Sequence, residues 1–246
     1  MHRLVTIGLS HYCEKARWAL ERTGVPFTEE PHAPLLHALH TRPKGGRSVP
    51  LLVTDEGVLT DSTDIVAFCD RHAGGALHGD GEARRASLEL EERFDTALGP
   101  HTRRVVYFHV LADKRAVLEA VRARGVEGAI FRAGYRGIVA LMRKAMRIDA
   151  AGAARSRERI RAVFEEVSER LRDGRRYLTG DRFTAADLTF AALAAPVVVP
   201  PEYGWPLPPL DAFDDVFRAY VERTRETPAG ALALRLYKEE RRTSSR

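Results

Sequence analysis

Short apolar runs alternate with helical spacings from Leu4 to Ala73, and beyond Gly81 only helical spacing recurs. Leu4 to Ile7 is a run of apolar or β-branched residues closed by Gly8 and Ser10, which predicts a buried strand. Cys13, Ala16, Leu20 and Thr23 then fall on one helical face, and Gly24 with Pro26 supplies the stop signals. A second short strand is expected around Phe27 to Glu29. Val49 to Thr54 and Val58 to Thr60 predict two further strands, joined by a tight Asp55-Glu56-Gly57 turn into an antiparallel hairpin. Asp61 and Ser62 offer capping oxygens to a helix carrying Ile65, Val66, Phe68 and Cys69.

The glycine-rich stretch from Ala73 to Gly81 has no periodicity and reads as a linker. Leu88, Phe94 and Leu98 begin a long helix that Gly99-Pro100 is expected to kink. Gly125, Gly128, Gly134 and Gly137 blur the next segment, in which Ile138, Leu141, Met142 and Ala145 form a helical stripe. Ile160, Phe164, Val167 and Leu171 form another. Phe183-Thr184-Ala185-Ala186-Asp187-Leu188 is a capping box in its Asp form, with Phe183 and Leu188 placed for a hydrophobic staple. The helix it opens carries apolar residues too widely spread for one stripe, so it should lie deep. The charged tail from Lys238 to Arg246 is expected to fray. The order βαβ, a loop with room for a short helix, then ββα is a thioredoxin-like α/β arrangement. The expected organisation is thus an α/β domain over residues 1–75, a linker over 76–82, and an all-α bundle over 83–246.

Composition narrows the function classes. Over 246 residues, 44% hydrophobic and 30% charged content is that of an ordinary folded protein. No apolar run approaches the ~20 residues of a membrane span, and the N-terminal apolar stretch is too short for a secretory signal. Two cysteines, Cys13 and Cys69, fit a reducing compartment, so the cytosol is expected. The formal charge of +5 raises nucleic acid as a partner. The basic residues are interleaved with acidic ones, however, as in Glu14-Lys15-Ala16-Arg17, which reads as a solvated, mildly basic surface. Neither nucleic acid nor a membrane is expected.

The segment Ser10-His11-Tyr12-Cys13-Glu14-Lys15-Ala16-Arg17-Trp18-Ala19-Leu20 carries the most chemistry. It puts a hydroxyl where the first strand passes into the first helix, beside unpaired helix-start N–H groups that favour an anion. A thiol of pKa about 8.5 is only a few per cent ionised at pH 7, and lowering it by about two units is worth ~2.7 kcal/mol. A serine hydroxyl donating to sulfur would supply part of that shift. Taken alone, the segment reads first as an ordinary helix cap.

Ser10-x-x-Cys13 followed by Lys15 and Arg17-x-Ala19-Leu20 resembles the active-site segment of serine-type glutathione transferases, and more distantly that of glutaredoxins. Ser48-Val49-Pro50-Leu51-Leu52 resembles the family's Val-Pro turn, in which a cis proline presents the preceding backbone to the cysteinyl part of glutathione. Asp61-Ser62-Thr63 resembles the acidic-Ser pair that holds the γ-glutamyl end. Tyr177 to Asp181 with the capping box resembles the structural motif of the C-terminal domain. The resemblance implies a thioredoxin-like domain followed by an all-helical one, glutathione as co-substrate, a small-molecule electrophile and a homodimer. It implies Ser10 and Cys13 as catalytic residues, and Tyr12, Arg47, Val49, Pro50, Asp61 and Ser62 as glutathione contacts. The rival readings are a non-catalytic binding module on the same fold, a thiol–disulfide reductase using Cys13, and use of another low-molecular-weight thiol. Cys13 itself reads first as a half-buried structural thiol, and Cys69 as core. His32, His37 and His40 cluster in a loop region, but no nearby cysteine or carboxylate completes a metal set, and no metal is expected. Tyr107, Phe108 and His109 are expected on the first helix of the second domain, whose later half lines the acceptor pocket in the family; they read equally as aromatic core. The extended, proline-rich stretch Pro200 to Pro206 reads as a simple connector before Leu210 rather than as a partner site.

Overall fold

The computed structural model describes residues 1–241. The predicted runs become β1 (His2–Thr6), α1 (His11–Arg22), β2 (Phe27–Pro31), the one-turn α2 (Ala38–Thr41), β3 (Leu51–Thr54), β4 (Gly57–Leu59) and α3 (Ser62–His72). The described residues hold one four-stranded sheet in the order β2-β1-β3-β4. β1 pairs parallel with β2 and antiparallel with β3, and β3 turns through Asp55-Glu56 into β4. Leu4 and Val5 are fully buried on opposite faces of the central strand. This is the expected thioredoxin-like layer.

The rest is helical: α4 (Gly81–Ala97), α5 (Gly99–Val110), α6 (Lys114–Val121), α7 (Gly125–Met146), α8 (Ala150–Arg170), α9 (Ala185–Val198), α10 (Asp215–Glu226) and α11 (Pro228–Glu240). The Gly99-Pro100 break separates α4 from α5, so the long helix is two. Leu88 is exposed, and the buried stripe of α4 runs instead through Leu90 and Phe94 to Leu98 just past its end. On α7 the expected stripe is also displaced. Leu141 and Ala145 face solvent, and Phe131, Tyr135, Val139 and Met142 form the buried row at i, i+4, i+8 and i+11. Aromatic Phe131 and Tyr135 on the first half of the helix set that face. The final helix takes in Lys238 to Glu240, and Arg241 after it is buried, so fraying does not start at Lys238. The remainder of that expected tail, 242–246, lies outside the described residues.

α9 is the axis of the helical domain. Every residue from Ala185 to Val198 except Pro196 is buried, and the helix packs on α1, α4, α5 and α11. Its start is the capping box: Asp187 accepts from the Thr184 N–H (2.9 Å), the Thr184 hydroxyl (3.1 Å) and the Leu178 N–H (2.8 Å). One carboxylate thus caps the helix and pins the preceding turn. Asp187→Ala strands these buried donors, and we expect a loss of about 2 kcal/mol, the high end for a lost cap. Thermal melts check it; unchanged stability with altered turnover would make Asp187 a site residue instead.

The largest departure from expectation is electrostatic. Glu14, Lys15 and Arg17, which read as solvated surface, are all 0% exposed. Arg17 lies between Glu14 (2.5 Å) and Glu29 (2.6 Å), and Glu14 also receives Arg241 at 2.8 Å. Burial alone would push the Arg17 guanidinium down, but the two carboxylates hold it well above its ordinary value. Lys15 reaches Asp95 (2.6 Å), Glu91 (2.9 Å) and the Thr63 hydroxyl (3.0 Å). These pairs join α1 to the second domain on two sides.

Candidate functional site

The strand β1 delivers its chain through Ile7-Gly8-Leu9 to Ser10, whose N–H closes a turn on the Ile7 carbonyl at 2.8 Å. Ser10 is the N-cap of α1 in extended backbone, yet its side chain caps no helix N–H. Its hydroxyl lies close enough to the Cys13 thiol to favour ionisation there. The first N–H groups of α1 therefore stay available to an anion beside a half-buried hydroxyl. Cys13 is fully buried, not half-buried, and burial pushes its thiol up to about 12. Such a thiol is neither accessible nor ionised near neutral pH. Cys69 is also core, as expected, with its thiol pushed up to about 12.

His11, next in sequence, is buried and its Nε2 donates to the Gly99 carbonyl at 2.9 Å. Burial first and the Arg103 guanidinium second push the imidazole down to about 3, so it is neutral at working pH. The Tyr12 hydroxyl donates to the Asp95 carbonyl at 3.1 Å and presses on Gly99, where a Cβ would fall 2.3 Å away. That close approach explains the glycine at the α4–α5 break.

The Val49–Pro50 peptide is cis. The pairing of Val5 with Leu51 sets Pro50 beside the end of β1, at the root of the Ser10 loop. Asp61 is the N-cap of α3 and accepts from the Thr63 N–H at 2.8 Å, while Ser62 is buried in the first turn. Asp61 lies close enough to bear on the ionisation of Tyr12. The fold thus gathers Ser10, Tyr12, Pro50 and Asp61 on one edge of the sheet domain. Arg47 is exposed on the loop before Pro50, with no ion pair among the described residues.

A cavity of about 260 Å³ adjoins this edge. Both neighbours of Ser10, Leu9 and His11, wall it, opposite Tyr107, Phe131 and Tyr203, and Arg103 contributes a cation to an otherwise mainly apolar lining. Tyr107, Phe108 and His109 fall on α5, the second helix of the domain rather than the first; Tyr107 and His109 line the cavity and Phe108 packs beside it. The segment Pro200 to Pro206 is more than a connector. Tyr203 donates to the Leu9 carbonyl at 3.2 Å, and the Gly204 N–H donates to Glu14 at 3.1 Å. The Trp205 ring lies flat against Gly8, where a Cβ would meet it at 2.2 Å. The loop that carries Ser10 is therefore held from the far end of the chain, a contact between residues nearly two hundred positions apart that no local pattern announces.

Among the histidines of the β2–α2 region, a carboxylate is present after all: His32, His40 and Glu127 of α7 hold ligand-capable atoms within 4.8 Å of one another.

Fold and site together define a thioredoxin-like domain with a hydroxyl at its first strand–helix junction, closed by a helical domain that supplies an apolar cavity. The family model for the glutathione S-transferase N-terminal domain matches residues 4–76, and that for the C-terminal domain matches residues 150–223. Together these segments take in more than half of the chain, which belongs to the glutathione S-transferase superfamily. No curated protein sequence matches it. Among solved structures it is similar to glutathione transferase F2 from Populus trichocarpa, with a TM-score of 0.57 and 16% identity over 97% of this chain and 99% of that one. A possible glutathione S-transferase from Rhodopseudomonas palustris gives 0.57 and 19% over 93% and 95%. A glutathione S-transferase-I bound with lactoylglutathione gives 0.54 and 19% over 96% and 99%. At these identities the likeness is one of fold. No helix of the described residues is long and apolar enough to cross a membrane.

Proposed function

We propose that the protein binds glutathione at the open start of α1, holds its thiol as a thiolate beside Ser10, and adds that sulfur to an apolar electrophile in the adjoining cavity. The observation that carries this reading is that Ser10, its helix N–H groups uncapped, sits between two residues that wall an apolar cavity. Catalysis would then consist of thiolate stabilisation and placement of the acceptor. The backbone at Val49-Pro50 would pair with the cysteinyl part of the tripeptide. Asp61 would receive its ammonium, while Ser62 and the α3 start would receive the neighbouring carboxylate. Arg47 is the candidate partner for the far carboxylate. Tyr12, whose hydroxyl is committed to Asp95, would contribute its ring. A similar structure bound with lactoylglutathione supports glutathione as the thiol. The burial of Cys13 speaks against a reductase centred on it. A homodimer in the cytosol completes the proposal; light scattering of the purified protein tests the dimer.

Retention on immobilised glutathione with release by free glutathione tests the binding half. Ser10→Ala tests the chemistry: turnover with an aryl halide should fall at least ~10-fold with the fold intact, because one charge-assisted hydrogen bond of about 1.5–3 kcal/mol is lost. An unchanged pH–rate profile in that variant removes Ser10 from the mechanism. Retention without turnover on any acceptor makes the protein a binding module.

A further inference from the structure

We propose that His32, His40 and Glu127 form a binding site for a divalent first-row transition metal of the zinc type, joining the two domains beside the cavity. The three residues come from separate elements. His32 follows β2, His40 lies on α2, and Glu127 sits in the first turn of α7. Their ligand atoms lie within 4.8 Å of one another. In a tetrahedral site with bonds of about 2.0–2.1 Å the ligand atoms stand roughly 3.3 Å apart, so closure brings the widest pair together by up to about 1.5 Å.

The parts that must stay fixed are fixed. Glu127 accepts from the Ala33 N–H at 2.5 Å and from His32 Nδ1 at 3.1 Å. His32 Nδ1 and Glu127 Oε2, 3.1 Å apart, already stand near the spacing of two ligands on one tetrahedral ion, which would take the place of the hydrogen bond between them. Glu127 can keep the Ala33 N–H on Oε1 and present Oε2 to an ion. The part that must move can move. The His40 ring is stacked on His32 at 3.6 Å and 16°, and it must swing edge-on to bring its nitrogen to the ion. It is half-exposed on a one-turn helix.

Two imidazoles and one carboxylate suit zinc, cobalt or nickel, whereas magnesium and calcium favour oxygen-only sets. The half-exposed side leaves a fourth position to water. Pro34, two residues from His32, and Phe131, one turn from Glu127, both line the cavity. A bound metal would therefore tie together two elements of one cavity wall.

The test uses full-length protein purified without a polyhistidine tag and stripped with a chelator. Calorimetry should show one Zn²⁺ per chain, cobalt should give a visible ligand-field spectrum, Mg²⁺ should not saturate the site, and zinc should raise the melting temperature. His40→Ala and Glu127→Gln should each weaken zinc binding by at least ~10-fold, since even outer-shell changes cost that much. His40→Ala should leave the melt of the metal-free protein unchanged, so it decides the matter even if Glu127→Gln folds poorly. His72→Ala, on an exposed histidine elsewhere, should bind as the parent does. Absence of saturable zinc binding, or unaltered affinity in His40→Ala, overturns the site; equal affinity for Mg²⁺ overturns its chemistry.

Discussion

Glu14→Ala is expected to destabilise the protein by about 3 kcal/mol and to loosen the Ser10 loop. Removing one member of a buried ion pair costs roughly 3–5 kcal/mol, because the partner charge is left in a low-dielectric site. Glu14 serves two guanidiniums, Arg17 at 2.5 Å and Arg241 at 2.8 Å, and accepts from the Gly204 N–H at 3.1 Å. Arg17 keeps Glu29 and Arg241 keeps Glu21, which places the cost at the lower end of that range. The functional consequence follows from the geometry. Gly204 precedes Trp205, whose ring covers Gly8, and Gly8 lies two residues before Ser10. Releasing Gly204 frees the covering segment, so the start of α1 should become less ordered and the proposed turnover should fall alongside stability. Urea melts of Glu14→Ala, Arg241→Met and the double variant check the cluster. Strict additivity of the two single effects would mean that the charges do not act together; a double variant less damaged than the sum is the expected result.

Glu14 also shows where sequence patterning reaches its limit. The sheet domain was legible because each element carries its own local signal: an apolar run, a cap, a Gly-Pro stop or a two-residue turn. The α9 capping box was legible for the same reason, since Thr184 and Asp187 are three residues apart. Glu14-Lys15-Ala16-Arg17 is a pattern that a solvated helix also shows. Only the partners distinguish the two cases, and these lie at Glu29, Asp95, Glu91 and Arg241. The histidine cluster failed to read as a metal set because its carboxylate, Glu127, follows His32 by 95 positions. On α7 the pattern misled because Leu141 and Ala145 extend an apolar row that the tertiary packing leaves outside, while Phe131 and Tyr135 define the buried face. The serine at the strand–helix junction was visible as a residue type in a position. Its cavity was not, being assembled from α5, α6, α7 and the Pro200–Leu207 region.

Lowering the pH from 7.5 to 4.5 should cost the native protein about 2.7 kcal/mol more stability than it costs His11→Gln. In the fold, burial and then Arg103 hold the His11 imidazole down to about 3, against an ordinary value of 6.5. Between those two values the unfolded chain binds a proton that the folded chain refuses. Stability from this group is therefore fully present above about pH 6.5 and is lost as the pH falls toward 3. At pH 4.5 about two units of that interval have been crossed, and at 1.36 kcal/mol per unit this gives roughly 2.7 kcal/mol. Glutamine cannot take up the proton, and its amide can still donate toward the Gly99 carbonyl that His11 Nε2 holds at 2.9 Å. The variant should start about 1 kcal/mol less stable at pH 7.5, for an imperfect hydrogen bond, and become the more stable of the two in acid. Urea midpoints at the two pH values decide it, and parallel losses in both proteins would show that His11 does not resist protonation. The same neutrality bears on the site. A side chain that stays uncharged from pH 5 to 8 does no acid–base work there, so His11→Gln should leave the pH–rate profile of the proposed thiol addition in place. His11 then acts as a positioning residue: its bond to Gly99 anchors the start of α1 against the α4–α5 break and keeps Ser10 beside the cavity.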